Sequence, residues 1–217
     1  MKNSSYLIIL LAIGLTVACY KWVSSTSAPV SNDYAENSTV ETIMTRTSVR
    51  AYSDRPVSKE TVDTLLRAAM AAPSAVNKQP WRIVVIDNRE TLQYISENFS
   101  SMTMANTAQL AIVMCGDMSA TLDGDAHDYW VEDVSAATEN LLLAAHAVKL
   151  GAVWCGIYPK KDRVATFSKL LNLPENIVPM ACVCIGYPAG NQAPKDKWKP
   201  ENIHYNSWSN TASDVMP

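Results

Sequence analysis

Apolar positions along this chain fall into stretches of helical spacing and short continuous runs, and the two kinds alternate. After Ser58, a good N-cap, Val62, Leu65, Leu66, Ala69 and Met70 recur at helical spacing, and Pro73 ends that helix. Residues 82–86 then read as a buried strand, 91–102 as a helix and 110–115 as a second buried strand. The polar stretch 117–128 reads as a loop. Residues 129–150 form a long helical pattern, apolar almost all round near Leu141, Leu142, Leu143, Ala144 and Ala145, which predicts a central buried helix with Gly151 as its C-terminal stop. A third strand follows over 152–158, a helix over 163–173 ended by Pro174, and a fourth strand over 180–185 closed by Gly186, Tyr187 and Pro188. Helices with antiparallel or mixed strands around one sheet predict an α+β domain, and no internal repeat is visible.

The first residues follow a different pattern. Lys2 precedes an apolar run over 6–17 that falls short of the roughly 20 residues a membrane span needs and fits a signal-peptide core. The run ends in Thr16-Val17-Ala18-Cys19, which resembles a bacterial lipobox with Thr16 where Leu is usual and Leu15 one position further back. The expectation is a signal peptide over 1–18, lipidation at Cys19, a disordered tether over 19–40, a folded domain over 41–210 and a tail over 211–217. The tether rests on a Ser-rich stretch without apolar periodicity. This organisation places the domain in the bacterial envelope, anchored to the membrane and facing out of the cytoplasm. An uncleaved anchor or plain secretion are the alternatives.

At 217 residues, 48% hydrophobic and 18% charged, the chain can bury the core of a globular domain, and its net charge of −3 argues against nucleic acid as a partner. Of its five cysteines, Cys115, Cys182 and Cys184 lie in strand-like runs and Cys155 in the turn Trp154-Cys155-Gly156. Their spacing matches no zinc site and favours buried thiols, with disulfides as the alternative in an exported protein. Cys182 and Cys184, two apart, share a face. His146 falls in the buried helix and His204 in the tail; both read as structural. His127 follows Asp123-Gly124-Asp125 without the spacing of a calcium loop, so no metal is expected.

The densest chemistry lies in Ala72-Pro73-Ser74-Ala75-Val76-Asn77-Lys78-Gln79-Pro80-Trp81, between a helix and a strand. The prolines fix the backbone, and Ser74, Asn77 and Gln79 offer hydrogen-bonding groups of both signs. That inventory suits the edge of a flat heteroaromatic ligand; a capped loop with a core Trp is the plainer reading. Upstream, Arg46, Ser48 and Arg50 share a face of an extended segment. Downstream, Lys195 and Lys197 precede Trp198, and Ile203-His204-Tyr205-Asn206 follows.

In this order, Arg46-x-Ser48-x-Arg50, Pro73-Ser74-x-x-Asn77-x-Gln79-Pro80-Trp81 and Lys195-x-Lys197 resemble the FMN-dependent nitroreductase family over roughly residues 41–208. The resemblance implies a three-layer α/β/α sandwich in an intertwined homodimer, with the long helix against its twin and 203–206 crossing to the partner. It implies FMN as cofactor, its phosphate held by Arg46, Ser48, Lys195 and Lys197. Arg50 would lie near the flavin N1 and C2 carbonyl. Pro73, Ser74, Ala75 and Asn77 would contact flavin from the partner subunit, with Gln79 bracing the loop and Trp81 more in keeping with the core. Trp154, Cys155 and Gly156 would form the backbone turn against the flavin. Many relatives carry Glu-Gly there; Cys155-Gly156 keeps the backbone role and leaves open a reactive thiol.

The reaction so implied is ping-pong hydride transfer from a nicotinamide donor to electron-poor acceptors such as nitroaromatics or quinones, without a catalytic side chain. A non-catalytic envelope flavin-binding protein and a reductive dehalogenase-like enzyme are the alternatives. Export sits uneasily with NAD(P)H, which is scarce outside the cytoplasm.

Overall fold

The computed structural model describes residues 39–209 and 211. Cys19, the expected signal peptide and the tail beyond 211 lie outside the described residues. The chain divides into two units, Met1–Glu41 and Thr42–Pro217, and the site described below belongs wholly to the second. Helix α1, Thr39–Thr45, begins within the stretch read as tether.

The sheet is four-stranded and wholly antiparallel. Its strands are β1 (Trp81–Ile86), β2 (Leu110–Asp117), β3 (Gly151–Gly156) and β4 (Ile177–Gly186), ordered β1-β2-β4-β3. β2 is buried along its whole length because both of its faces are covered. Ala111, Val113 and Cys115 face one layer; Leu110, Ile112 and Met114 face the other.

The first face packs under α3 (Arg89–Asn98) through Leu92 and Ile95, and under Phe167 of α5 (Lys161–Leu170). The second packs under α2 (Lys59–Met70) through Leu65 and Ala69, and under α4 (Tyr129–Ala147) through Val134, Ala137, Leu141 and Ala145. Each fully buried Leu or Ile contributes roughly 1.5–3 kcal/mol, so these layers hold the scaffold. The expected three-layer arrangement is present within one chain. α2 starts where the Ser58 side chain accepts from the Thr61 amide at 3.2 Å, as its cap signal predicts.

Two local expectations, the single helix over 91–102 and Gly151 as a helix stop, are corrected. The single helix over 91–102 is two pieces. Asn88 caps α3, and Phe99 then turns extended (φ −128°, ψ 101°) to put its ring 4.9 Å from that of Phe167; a 3₁₀ segment, Ser100–Asn106, follows. Gly151 does not stop α4. Lys149 takes the left-handed conformation (φ 64°), and Gly151 already belongs to β3. Residues 203–206 add no strand to the chain's own sheet; His204 bridges to Thr211 and stacks on Trp208 with ring centroids 4.1 Å apart.

Cys115, Cys155, Cys182 and Cys184 are all free, buried and on the α3–α5 face, with Cys155 directly opposite Cys182. The shared face of Cys182 and Cys184 follows from their alternation.

Candidate functional site

The segment carrying Arg46, Ser48 and Arg50 is an extended arm docked alongside β3. Ser48 pairs with Ala152 in parallel sense, and the Val49 amide donates to the Ala152 carbonyl at 3.0 Å. Val49 and Tyr52 turn inward, each against a glycine. A Cβ on Gly151 would lie 2.6 Å from the Val49 side chain, and one on Gly186 would lie 3.0 Å from Tyr52. Gly151 and Gly186 are register partners, so the two strands present one glycine platform to the arm. The Tyr52 hydroxyl shares its proton between the carbonyls of Val49 (2.7 Å) and Cys184 (2.9 Å). Burial holds that hydroxyl protonated far above the usual phenol range, with Cys184 nearby adding to the effect.

With Val49 and Tyr52 fixed inward, Arg50 is left exposed and lines an open cleft of about 560 Å³. Trp154, Cys155 and Gly156 at the end of β3 line the same cleft, as do Lys160 and Arg163. Nothing lies within 4 Å of where a Gly156 Cβ would be, so bare backbone faces the opening. The Arg163 guanidinium donates to the Gly156 carbonyl at 2.7 Å and fixes that turn.

Cys155 contributes its backbone and not its thiol. Its sulfur points inward, 3.7 Å from the Ser101 carbonyl and 4.0 Å from the Met104 sulfur. Contact with Cys184, then burial, hold the thiol protonated far above its ordinary range. The reactive-thiol reading is therefore set aside, because nucleophilicity needs a thiolate.

Arg46 does not reach this cleft. Its Nε lies 3.3 Å from a Glu139 carboxylate oxygen on α4, with the guanidinium stem largely covered. Nearby, His146 is half-buried, 2.9 Å from the Thr45 hydroxyl. Burial lowers its pKa, and the charges of Lys149 and Arg46 lower it further, so it is neutral near pH 7.

The loop after α2 is built as a rigid hook. Val76, Asn77 and Gln79 all take the left-handed conformation (φ 48°, 55° and 50°), a costly choice for a β-branched Val that is 81% exposed. The Gln79 amide donates to the Ser74 hydroxyl at 2.9 Å, and its side chain donates to Asn77 at 2.8 Å, so Gln79 braces the loop. The Ala75 amide donates to the buried Asp133 carboxylate of α4 at 2.7 Å. Trp81 is core, 6% exposed, as expected. Pro73, Ser74, Ala75 and Asn77 do not line the cleft of their own chain, and neither do Lys195 and Lys197, which stand exposed on an irregular segment.

The single chain thus brings Arg50, Trp154, Cys155 and Gly156 together, places Ser48 on the same arm, and leaves Arg46, Pro73, Ser74, Ala75, Asn77, Lys195 and Lys197 outside the cleft. Asp133, Lys160 and Arg163 were missed. Asp133 could have been found as the acidic residue inside an apolar helical face; Lys160 and Arg163 give no signal until β3 and α5 meet. Among the described residues no cluster of metal-ligating side chains occurs, and His127 only approaches Asp128 at 3.5 Å. A flat anionic cofactor fits what is present: an unobstructed glycine backbone, an exposed cation at Arg50 and a cleft without a carboxylate among its lining residues.

Comparison with known proteins identifies the family and its fold. The model of the nitroreductase family matches residues 43–119 and 98–187. A protein of Methanothermobacter thermautotrophicus, provisionally named NADH dehydrogenase/NAD(P)H nitroreductase, is 43% identical over 169 residues, covering 78% of this chain and 87% of the relative. The crystal structure of a Parabacteroides distasonis protein with the same provisional name is 43% identical and superposes with a TM-score of 0.75, covering 80% of this chain and all of that one. An FMN-dependent nitroreductase from Clostridium difficile is 26% identical with a TM-score of 0.70, covering 77% of this chain and 99% of its own.

Proposed function

This chain belongs to the nitroreductase family of oxidoreductases, and from that premise we propose an FMN-dependent homodimer that passes electrons from NAD(P)H to electron-poor acceptors such as nitroaromatics or quinones. The observation that carries the proposal is the convergence of Arg50 with the bare Gly156 turn on one open cleft. When bound, FMN supplies the hydride chemistry, and the protein supplies orientation and charge.

Each residue has a definite task in this reading. Arg50 stabilises negative charge developing in the cleft. Gly156, held by Arg163, offers flat backbone. Arg46, Ser48, Lys195 and Lys197 balance a phosphate dianion, with Arg46 exchanging Glu139 for it. Pro73, Ser74, Ala75 and Asn77 serve the cleft of a second copy, which accounts for a hook braced on Asp133 and Gln79 that lines no part of its own chain's cleft. Five large apolar side chains support a dimer by their exposure: Met44 (71%), Val76 (81%), Tyr129 (47%), Trp198 (65%) and Trp208 (84%).

No side-chain acid or base is assigned. The Cys155 thiol is buried and protonated, and His146 lies on the α4 side near Thr45. The connection from β2 to α4 holds only the short turn Gly124–Ala126, not the inserted lid that a dehalogenase-like reading calls for.

We also propose lipidation at Cys19 and an outward-facing position in the bacterial envelope, on the sequence of the leader alone. Such a position demands a reductant other than cytoplasmic NAD(P)H, and one experiment separates the cases. The full chain in detergent is purified, its absorption spectrum and light scattering are recorded, and NADH, NADPH or dithionite is added anaerobically. A yellow dimer bleached by a nicotinamide supports FMN, the homodimer and the NAD(P)H donor, and counts against the outward-facing position. Bleaching by dithionite alone keeps FMN and replaces the donor. A colourless protein that takes up no FMN overturns the cofactor assignment.

A further inference from the structure

We infer that Lys160 and Arg163 make the mouth of the cleft selective for a redox reactant that carries an anionic group, a phosphate, sulfonate or carboxylate. The inference deepens the function proposed above and rests on it for the identity of the reactants.

The argument begins with charge. The chain as a whole has a net charge of −3, with 21 Asp and Glu against 18 Lys and Arg. The cleft reverses that balance. Arg50, Lys160 and Arg163 line it, and not one of its lining residues is acidic. Arg50 has a task at the cofactor; Lys160 and Arg163 come from another element, at the start of α5, and lie beyond the Gly156 turn.

Only one guanidinium nitrogen of Arg163 is engaged by the fold, on the Gly156 carbonyl, and no ion pair among the described residues accounts for either cation. Lys160 is exposed and Arg163 half-exposed, and among the described residues neither takes part in an ion pair. Local helix preference does not call for them either, because the first turn of a helix favours acidic residues over cations. Asp162, between them in sequence, does not line the cleft.

Arg163 is also held in place. One guanidinium nitrogen donates to the Gly156 carbonyl at 2.7 Å. The remaining donors of its planar fork stay near the cleft at little further entropic cost, as suits recognition of a carboxylate, sulfonate or phosphate. Lys160 adds a mobile point charge. A concave site lined by one sign of charge concentrates counter-charged reactants and speeds their capture.

The anionic group has two sources, the 2′-phosphate of a nicotinamide donor or an acid group on the acceptor, and the two half-reactions distinguish them. In the full-length protein, capture of NADPH is compared with NADH, and a naphthoquinone sulfonate with neutral menadione, by rapid mixing at low and high salt. The wild type is expected to favour the charged member of at least one pair by about tenfold at low salt, the preference shrinking as salt rises. Lys160→Gln should reduce the ratio, and Lys160→Glu should reverse it. Arg163→Lys keeps the charge and should retain more of the ratio than Arg163→Gln. Preference in the donor pair alone identifies the nicotinamide phosphate; preference in the acceptor pair alone identifies an acidic acceptor. Ratios near one in both pairs, or a ratio untouched by Lys160→Glu, overturn the inference. A protein that holds no flavin refutes the function and not the cationic wall. Binding of the sulfonate, followed by tryptophan fluorescence, then decides: an affinity unchanged in Lys160→Glu overturns the inference, and one lowered several-fold upholds it.

Discussion

Val49 rests on Gly151, 2.6 Å from the place a Cβ would occupy, and that contact sets where the cationic arm lies. The arm is held by packing at Gly151 and Gly186 and by a few hydrogen bonds, and Arg50 reaches the cleft because Val49 and Tyr52 are committed inward.

Gly151→Ala should therefore lift the arm without touching any residue at the cofactor. Overpacking of this kind costs about 1–3 kcal/mol. Denaturant unfolding should show that loss together with a fall in retained FMN. Gly186→Ala meets the Tyr52 Cβ and ring at 3.0 Å, a looser approach than at Gly151, and should cost less. A Gly151→Ala protein of wild-type stability would show that the arm accommodates the methyl freely.

Stability should fall in alkali. The buried Cys115 thiol is pushed up from 9.0 to about 12 by burial, and Cys155, Cys184 and Tyr52 are raised as well. A raised folded-state pKa favours the protonated fold, so its contribution is complete below the unfolded-state value. For Cys115 the loss begins near pH 9 and runs on to about 12, as the unfolded chain releases its proton first. Melting temperature measured from pH 7 to 11 should decline across that window, and slow modification by a thiol reagent at pH 8 should accompany it. A flat profile would contradict the buried thiols.

Asp133→Ala should loosen the hook by stranding the Ala75 amide. Leaving such a group unpaired costs roughly 1–3 kcal/mol, whereas Asp133→Asn keeps an acceptor and should lose less. Hydrogen exchange at Ala75 and FMN affinity, read together, check this. Faster exchange with unaltered affinity would place the hook away from any flavin.

Arg46→Ala should weaken FMN more than riboflavin, since loss of a charge-assisted hydrogen bond to phosphate costs roughly 1.5–3 kcal/mol. Glu139→Gln releases Arg46 from its present partner and should tighten FMN selectively. Equal changes for the two flavins would remove Arg46 from the phosphate.

Cys19→Ser should abolish lipid labelling and leave the uncleaved precursor in the membrane fraction. Wild-type processing of the mutant would refute a lipid at that position.

Much of the scaffold was legible because its signals are local. Ser58 and the spacing from Val62 to Met70 give α2, and the apolar run around Leu141 gives the buried α4. The alternation of Cys182 and Cys184 gives their common face, but only strand register sets Cys155 against Cys182. Gly151 misled because a glycine after a helix commonly ends it; here Lys149 makes the turn and Gly151 is kept small for Val49, a residue remote in sequence. Asp133 escaped for the same reason: its partner, the Ala75 amide, lies 58 positions away. The motif residues are legible one by one as hydrogen-bonding or charged groups. Which of them share a cleft depends on tertiary contacts and, in the proposed dimer, on a second chain for the hook and for Lys195 and Lys197.

The pairing of Ser48 with Ala152 has a consequence beyond the cofactor. β3 is the last strand of its sheet, and its outer row of amides and carbonyls would be an open template for another chain. The arm occupies part of that row, with the Val49 amide on the Ala152 carbonyl. A protease cut between the arm and α2 would uncover a strand edge beside an apolar run. The same few residues therefore guard the protein against aggregation, and a lost arm would be felt as insolubility before it could be felt as lost activity.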